Sequence, residues 1–325
     1  MSLVLFFGVL AILLVLTVPI CVSFAFATLL PSLVNSDFPY TADAAIRSMV
    51  SGLNNFPLLA IPLFIIAGVI MAKGKISERL FNVFSYFIGN KTAGLPCAVT
   101  ITCLFYGAIS GSGPATTAAV GSMCIPLLTS VGYDLTFATA LVAVSGGLGI
   151  IIPPSIPYIM YCNAAGTSIS ELFLAGFLPG VLIALCLMIY SYIYCKIHGE
   201  DKAKLNAQWQ ELRSRGLGTV LKEGFWALLS PVIILGGIYG GICSPTEAAT
   251  ISIFYSLIIS LFVYRTIKIR DLPKILLEGI HSYAPILIIL SAAVAFARVI
   301  TLMNVASVVS EAVLSAISSK VVILL

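Results

Sequence analysis

The side chains that usually perform chemistry are scarce in this sequence. Its 325 residues hold 13 acidic residues, 17 basic residues and two histidines. No H-E-x-x-H, no G-x-x-x-x-G-K-[ST] and no paired-carboxylate motif occurs. Eight cysteines, Cys21, Cys97, Cys103, Cys124, Cys162, Cys186, Cys195 and Cys243, show no C-x-x-C spacing. Most lie in apolar runs, where Cys acts as a small hydrophobe. What remains is backbone chemistry, concentrated in two stretches. "ISGSGPATT" carries Ser110, Gly111, Ser112, Gly113, Thr116 and Thr117. "VSGGLGIIIPPSIPYIM" carries Gly146, Gly147, Gly149, Pro153, Pro154 and Ser155.

In the first stretch, Gly111 and Gly113 open backbone conformations closed to other residues. Pro114 suits the first turn of a new helix, with Ser112 or Gly113 as its cap. One helix therefore ends there with free carbonyls and another begins with free N–H groups. Carbonyl ends suit a small cation, and N–H ends suit a carboxylate. Ser110, Ser112, Thr116 and Thr117 add hydroxyls. In the second stretch the glycines loosen a helix, and Pro153, Pro154 and Pro157 remove donors and so free carbonyls. Gly111 and Gly113 lack the third glycine of a dinucleotide fingerprint, and no strand precedes them.

The elements that must position these stretches are set by composition. Some 60% of the residues are hydrophobic and only 9% are charged, against roughly 25% charged in soluble domains. The long continuous runs specify an all-α polytopic membrane protein, and exclude the short alternating segments of a β-barrel. The apolar runs are 3–34, 46–72, 95–129, 135–163, 172–195, 225–242, 246–264, 275–303 and 305–325. "MSLVLFFGVLAILLVL" lacks a charged n-region and cleavage site, so it reads as a retained span. Pro19 makes 3–34 either one kinked span or two short ones. The net charge of +4 lies in loops and is no nucleic-acid signal. Three gaps collect it: Lys73 to Lys91, 196–223 and Arg265 to Lys274. The positive-inside rule places them in the cytoplasm.

The run 95–129 breaks at 110–113 into arms of about 15 residues, or roughly 22 Å of helix against a hydrocarbon core of about 30 Å. A re-entrant hairpin fits that length; two short spans joined by an external turn are the alternative. The segment 78–90 is too short to cross, and with Leu80, Phe81, Phe84, Phe87 and Ile88 it reads as an amphipathic helix at the cytoplasmic interface. Broken helices at membrane depth are tolerated where they are buried or line a cavity. The two breaks thus point to one shared site.

An internal repeat is also visible. "LTVPICVSFAF" resembles "ICSPTEAATISIF", and "SGLNNFPLLAIPLF" resembles "EGIHSYAPILIILS", at an offset of about 226 positions. By the loop charges, 46–72 runs inward and 275–303 outward, which makes the repeat inverted, as in many secondary transporters. A counterpart of the 110–113 hairpin then falls beyond Leu325, so the chain is expected to stop short of it. Other polar residues have structural readings. Ser244, Pro245 and Glu247 form a capping box. Asp134 suits a helix cap, His198 lies in a cytoplasmic gap and His281 at an interface. Arg298 is either a functional intramembrane charge or a snorkelling one.

"GAISGSGPATTAAVGSMCIPLL", "GGLGIIIPPSIPYIMY", "GICSPTEAA" and "FPLLAIPLFIIAGVIM" together resemble the large membrane subunit of tripartite ATP-independent periplasmic (TRAP) transporters. The resemblance covers essentially the whole chain. It implies a sodium-driven, elevator-type importer of organic acids (sialic acids, sugar acids or C4-dicarboxylates) in the bacterial inner membrane. It implies a periplasmic substrate-binding protein and a small four-helix membrane subunit as partners, Na+ as the coupling ion and no other cofactor. Residues 1–72 would be scaffold, 73–94 an arm, 95–163 the transport hairpin and broken helix, 164–224 a connecting helix and loop, and 225–325 scaffold and the start of the second repeat. Sodium would meet Ser110, Gly111, Ser112, Gly113, Gly146, Gly147, Gly149 and Pro153. Substrate would meet Ser112, Thr116, Thr117, Pro154 and Ser155. The rivals are another ion-coupled carboxylate transporter of the same superfamily, a passive channel lacking the repeat, and a membrane-embedded enzyme, which would need clustered acids or a His–Asp pair.

Overall fold

The structure, a computed structural model, describes residues 3–35 and 37–316, and its ordered elements there are all helical. Two compact units are present. One is formed by the residues up to Asn55 and those from Tyr283 on, the other by Phe56–Ser282. Five helical segments among the described residues are long and apolar enough to cross a membrane: Phe56–Lys73, Ile169–His198, Leu217–Tyr239, Pro245–Val263 and Ile269–Leu302.

The first unit begins with α1 (Leu3–Val15) and α2 (Ile20–Val34). The run 3–34 is therefore two helices. They part at Thr17, whose φ is +58°, just before Pro19, which cannot donate into the helix that precedes it. α3 (Ala42–Leu53) follows, with the Thr41 hydroxyl accepting from the Ala44 N–H at its start. Phe296 is sandwiched between Phe6 and Phe24, at 5.4 and 4.8 Å between ring centres.

The sequence expectation of one span over 46–72 needs correction. α3 stops at Leu53, the chain turns through Asn54 and Asn55, and a 3-10 turn over Phe56–Leu59 leads into α4 (Ala60–Lys73). Pro57 disfavours helical geometry in the residue before it, and the asparagine side chains compete for nearby backbone groups. The apolar character of the run concealed this break.

In the second unit, α5 (Ile76–Ile88), α6 (Gly94–Ser110), α7 (Gly113–Ser130) and α8 (Leu135–Gly146) follow α4. A 3-10 turn over Gly147–Ile150 and an irregular stretch separate α8 from α9 (Ile156–Ala165). Then come α10 (Ile169–His198), α11 (Lys202–Ser214) within the longest basic gap, α12 (Leu217–Tyr239) and α13 (Pro245–Ile258). α13 ends in a π-helical turn over Ile259–Val263. α14 (Leu272–Leu302) begins in this unit, while its residues from Tyr283 on and α15 (Val305–Ala316) belong to the first. The end of the 305–325 run lies outside the described residues. α12 starts earlier than the 225–242 run implied, because the polar turn Leu217–Glu223 is helical too.

α6 is the centre of this unit. Its Val99, Cys103, Tyr106 and Ile109 are fully buried, packed with Leu80 of α5 and Val120, Cys124 and Leu128 of α7. The Tyr106 hydroxyl donates to the Gly68 carbonyl of α4 at 3.1 Å, so its one polar atom is paired inside the core. The 78–90 segment is the amphipathic helix α5, but its apolar side meets protein. Leu80 and Phe81 are buried, and Phe84 lies 5.1 Å from Phe105 of α6, while Phe87 is exposed.

Candidate functional site

α6 and α7 form a helical hairpin whose turn is two residues long, Gly111 and Ser112. Gly111 has φ +63°, and its N–H bonds to the Gly107 carbonyl at 2.9 Å, ending α6 in a left-handed cap. Ser112 is extended, and its Oγ accepts from the Ala115 N–H at 3.4 Å, which starts α7 with Pro114 in the first turn. Behind the turn, the buried hydroxyls of Ser110 and Thr116 lie 2.9 Å apart. Thr116 Oγ1 donates to the Ser112 carbonyl at 2.8 Å, and the Thr116 N–H donates to the same oxygen at 3.0 Å. That carbonyl therefore has both lone pairs engaged.

The second break faces this turn. The Ile156 N–H at the start of α9 donates to the Gly111 carbonyl at 3.3 Å. A Cβ on Gly111 would lie 2.8 Å from the Pro154 carbonyl oxygen. A Cβ on Gly149 would lie 2.5 Å from Thr116 Oγ1 and 2.9 Å from the Ser112 oxygen. A Cβ on Gly113 would lie 3.4 Å from the Gly146 oxygen, and one on Gly146 would overlap Thr117 Oγ1. Gly107 approaches Gly149 backbone to backbone, with 2.6 Å from a Cβ on Gly107 to the Gly149 Cα. The small residues thus let two irregular segments touch without side chains between them. Four helix ends meet here: the C-terminal ends of α6 and of the α8 turn, and the N-terminal ends of α7 and α9.

Of the residues singled out from sequence, Ser110, Gly111, Ser112, Gly113, Thr116, Thr117, Gly146, Gly149 and Pro154 come together in this contact. Gly147 faces open space, with nothing within 4 Å of a Cβ placed there. Pro153 is buried in the irregular stretch and is joined to Pro154 by a cis bond. Ser155 is buried, but its hydroxyl donates to the Ile150 carbonyl at 2.6 Å and so closes the break on itself. Among the described residues no group of three or more His, Cys, Asp or Glu is placed to hold a metal ion. The donors at the contact are carbonyl and hydroxyl oxygens, which suit a hard cation with oxygen ligands.

The remaining polar candidates fall into place around this centre. Ser244 and Glu247 form the reciprocal capping box, with the Ser244 N–H donating to Glu247 Oε2 at 2.7 Å and the Glu247 N–H to Ser244 Oγ at 3.3 Å. Asp134 caps α8 by accepting from the Phe137 N–H at 3.0 Å. His198 stacks on Tyr194, while His281 and Arg298 are exposed.

One residue escaped the sequence reading. Glu200, just past α10, has a side chain only 1% exposed. Its carboxylate accepts from the Ala93 N–H at 2.9 Å, from the Tyr133 hydroxyl at 2.5 Å and from Lys202 Nζ at 2.8 Å. Burial opposes its ionisation, yet the bonds from Lys202, Tyr133 and Ala93 outweigh that and hold its pKa below the ordinary glutamate value. Burial and the same carboxylate push the Tyr133 hydroxyl far above its usual range. Both shifts keep the proton on Tyr133. The clamp fastens the base of the hairpin, at the start of α6 and the α7–α8 turn, to the end of α10. Little local marks Glu200, since Ala93 and Tyr133 lie far from it in the sequence and only Lys202 is a neighbour.

The described residues are helical wherever they are ordered, and five of their helical segments are long and apolar enough to cross a membrane, which defines a polytopic membrane protein. Residues 7–325 match the family described as the tripartite ATP-independent periplasmic transporter, DctM component. The chain is 40% identical over 325 residues to the isethionate TRAP transporter permease protein DctMQ of Oleidesulfovibrio alaskensis, covering 98% of this chain and 49% of that protein. It is 34% identical to the C4-dicarboxylate TRAP transporter large permease protein DctM of Rhodobacter capsulatus, over 91% of this chain and 69% of the relative. It is 33% identical to the sialic acid TRAP transporter permease protein SiaT of Haemophilus influenzae, over 87% of this chain and 45% of the relative. The chain belongs to the DctM family of TRAP large membrane subunits. It is an inner-membrane permease component and not an enzyme. It spans about half the length of the isethionate and sialic acid permeases.

Proposed function

We propose that this chain forms the ion-binding hairpin and much of the scaffold of a sodium-coupled importer of a small organic acid. A periplasmic binding protein delivers the substrate, and a small four-helix membrane subunit braces the scaffold. What supports this is one observation, the meeting of four helix ends at the Gly111–Ser112 turn and the Gly146–Ser155 break. Sodium meets oxygens of Ser110–Gly113 and of Gly146–Pro153. The substrate carboxylate meets the N-terminal ends of α7 and α9, near Ser112, Thr116, Thr117, Pro154 and Ser155. The relatives' names carry isethionate, C4-dicarboxylate and sialic acid, all small organic anions. That range favours an organic acid and leaves the choice among acids to the binding protein.

The Ser112 carbonyl already accepts two bonds from Thr116. A cation at this oxygen replaces the Thr116 hydroxyl proton, and that hydroxyl turns its lone pair toward the ion. Ion binding thereby tightens the turn before the substrate arrives. Residues 95–163 then travel as one body past residues 1–72 and 225–325, with 73–94 as the arm and 164–224 as the connection. An inverted repeat supplies a second hairpin of the same kind. The test is counterflow of labelled organic acid into proteoliposomes containing the full-length permease, its small subunit and its binding protein. Uptake that requires both sodium and the binding protein supports the reading. Uptake indifferent to sodium sinks the ion assignment. Uptake without the binding protein favours a different carboxylate transporter or a channel.

A further inference from the structure

Arg79 of α5 is a partly buried guanidinium with no hydrogen-bond acceptor among the described residues. Its side chain is 19% exposed, its Nε is buried and unpaired, and its one ion-pair partner, Glu223, stands 3.8 Å away. Glu223 is already held by Arg215 at 2.7 Å through a hydrogen bond. Arg79 is fixed in place by stacking on Tyr264, with its Cζ 3.7 Å from the ring centre, and the Tyr264 hydroxyl is anchored on the Glu223 backbone carbonyl. A guanidinium presents five donors in a rigid fork, and leaving them unmatched is costly.

The fork borders a cavity of about 350 Å³ whose wall also includes Lys73, Lys75 and Arg215. The acids nearby are Glu78, paired to Lys75 at 3.6 Å, Glu278, paired to Lys73 at 2.9 Å, and the shared Glu223. The bases therefore outnumber the acids, and Lys222, on the wall of the adjoining cavity beside Arg79, adds a further positive charge. We propose that this cavity, at the root of α5 and against α12 and the α13 terminus, binds a phosphate group through the Arg79 fork. Planar bidentate donors match phosphate as well as carboxylate oxygens, and the lysines around the fork suit the higher charge of phosphate. The basic gaps face the cytoplasm, so the inner-leaflet anionic phospholipid headgroup is one source and soluble phosphate the other.

The experiment uses the full-length permease with its small subunit in phosphatidylcholine nanodiscs. Thermal stabilisation is followed as phosphatidylglycerol replaces phosphatidylcholine, and separately as inorganic phosphate is added. Arg79→Lys retains the charge and loses the fork, and should weaken half-saturation roughly five- to tenfold. Lys75→Gln, at an exposed position on the cavity rim, should weaken it several-fold and decides the matter if Arg79→Lys fails to fold. Lys91→Gln removes the same charge from an exposed site outside this cavity and should leave the titration unchanged. Stabilisation by phosphatidylglycerol alone assigns the lipid headgroup, and equal stabilisation by inorganic phosphate assigns the soluble anion. The proposal is overturned if neither probe stabilises the protein, or if the deciding variant titrates like Lys91→Gln.

Discussion

Glu200→Gln should loosen the base of the hairpin while leaving its tip intact. The magnitude follows from the three donors. Lys202 is 51% exposed, so screening leaves its pair about 0–1 kcal/mol. The Ala93 and Tyr133 bonds are part-buried and charge-assisted, worth about 1.5–3 kcal/mol each, against about 0.5–1.5 for a neutral acceptor. A glutamine oxygen keeps both as neutral bonds, so the substitution costs about 2–3 kcal/mol, whereas Glu200→Ala orphans the donors and costs about 3–5 kcal/mol. Cys124, fully buried on α7, is the natural reporter in a background with the other cysteines replaced. If local opening limits maleimide attack, about 2 kcal/mol raises the labelling rate roughly thirtyfold. An unchanged rate in Glu200→Gln would refute the clamp. The pH dependence has a definite sign. A carboxylate whose pKa is lowered on folding stabilises fully above its unfolded value near about 4.3, and that contribution is lost as pH falls through the lower folded value. Fluorescence of Trp209, whose indole N–H bonds to the Tyr86 carbonyl, should therefore hold steady from neutral pH to about 5 and change only in stronger acid. Loosening between pH 5 and 8 would contradict the assignment.

Three further outcomes concern the tip and its surroundings. Gly149→Ala drives a methyl to within 2.9 Å of the Ser112 oxygen. It should cost about 1–3 kcal/mol by overpacking and raise the sodium concentration for half-maximal uptake about five- to hundredfold, read from uptake against sodium. Ser112→Ala removes the α7 cap at about 0.5–2 kcal/mol. Its sodium dependence should suffer more than its melting temperature, and the reverse order would make Ser112 merely structural. Glu247→Ala breaks the α13 capping box. It should lower thermal stability with no change in the sodium titration.

What the sequence disclosed was what local chemistry decides. Gly111, Ser112 and Pro114 mark a helix end and a helix start within four residues, and capping rules depend on little else. Ser244 to Glu247 was legible for the same reason, while Pro19 left one kinked span and two short helices equally open. The Asn54–Pro57 break was obscured because hydropathy is blind to backbone geometry inside an apolar run. Burial of Leu80 and Phe81 beneath α6 was also out of reach, since an amphipathic face fits protein and membrane equally well. Glu200 is the extreme case. Its meaning comes from Ala93 and Tyr133 arriving beside it, and only the fold brings them there. The same holds for the Ser110–Thr116 hydroxyl pair, whose two members lie on opposite arms of the hairpin.

The meeting of Gly107 with Gly149 has a thermal consequence. Neither residue has a rotamer to freeze, so closing or opening this seam changes no side-chain entropy. Its strength is dispersion between backbone atoms, which registers as heat. Parting the two segments there should thus appear in calorimetry without a side-chain share in the entropy, unlike the separation of an ordinary leucine-lined helix pair, and any disorder gained is that of the glycine backbone.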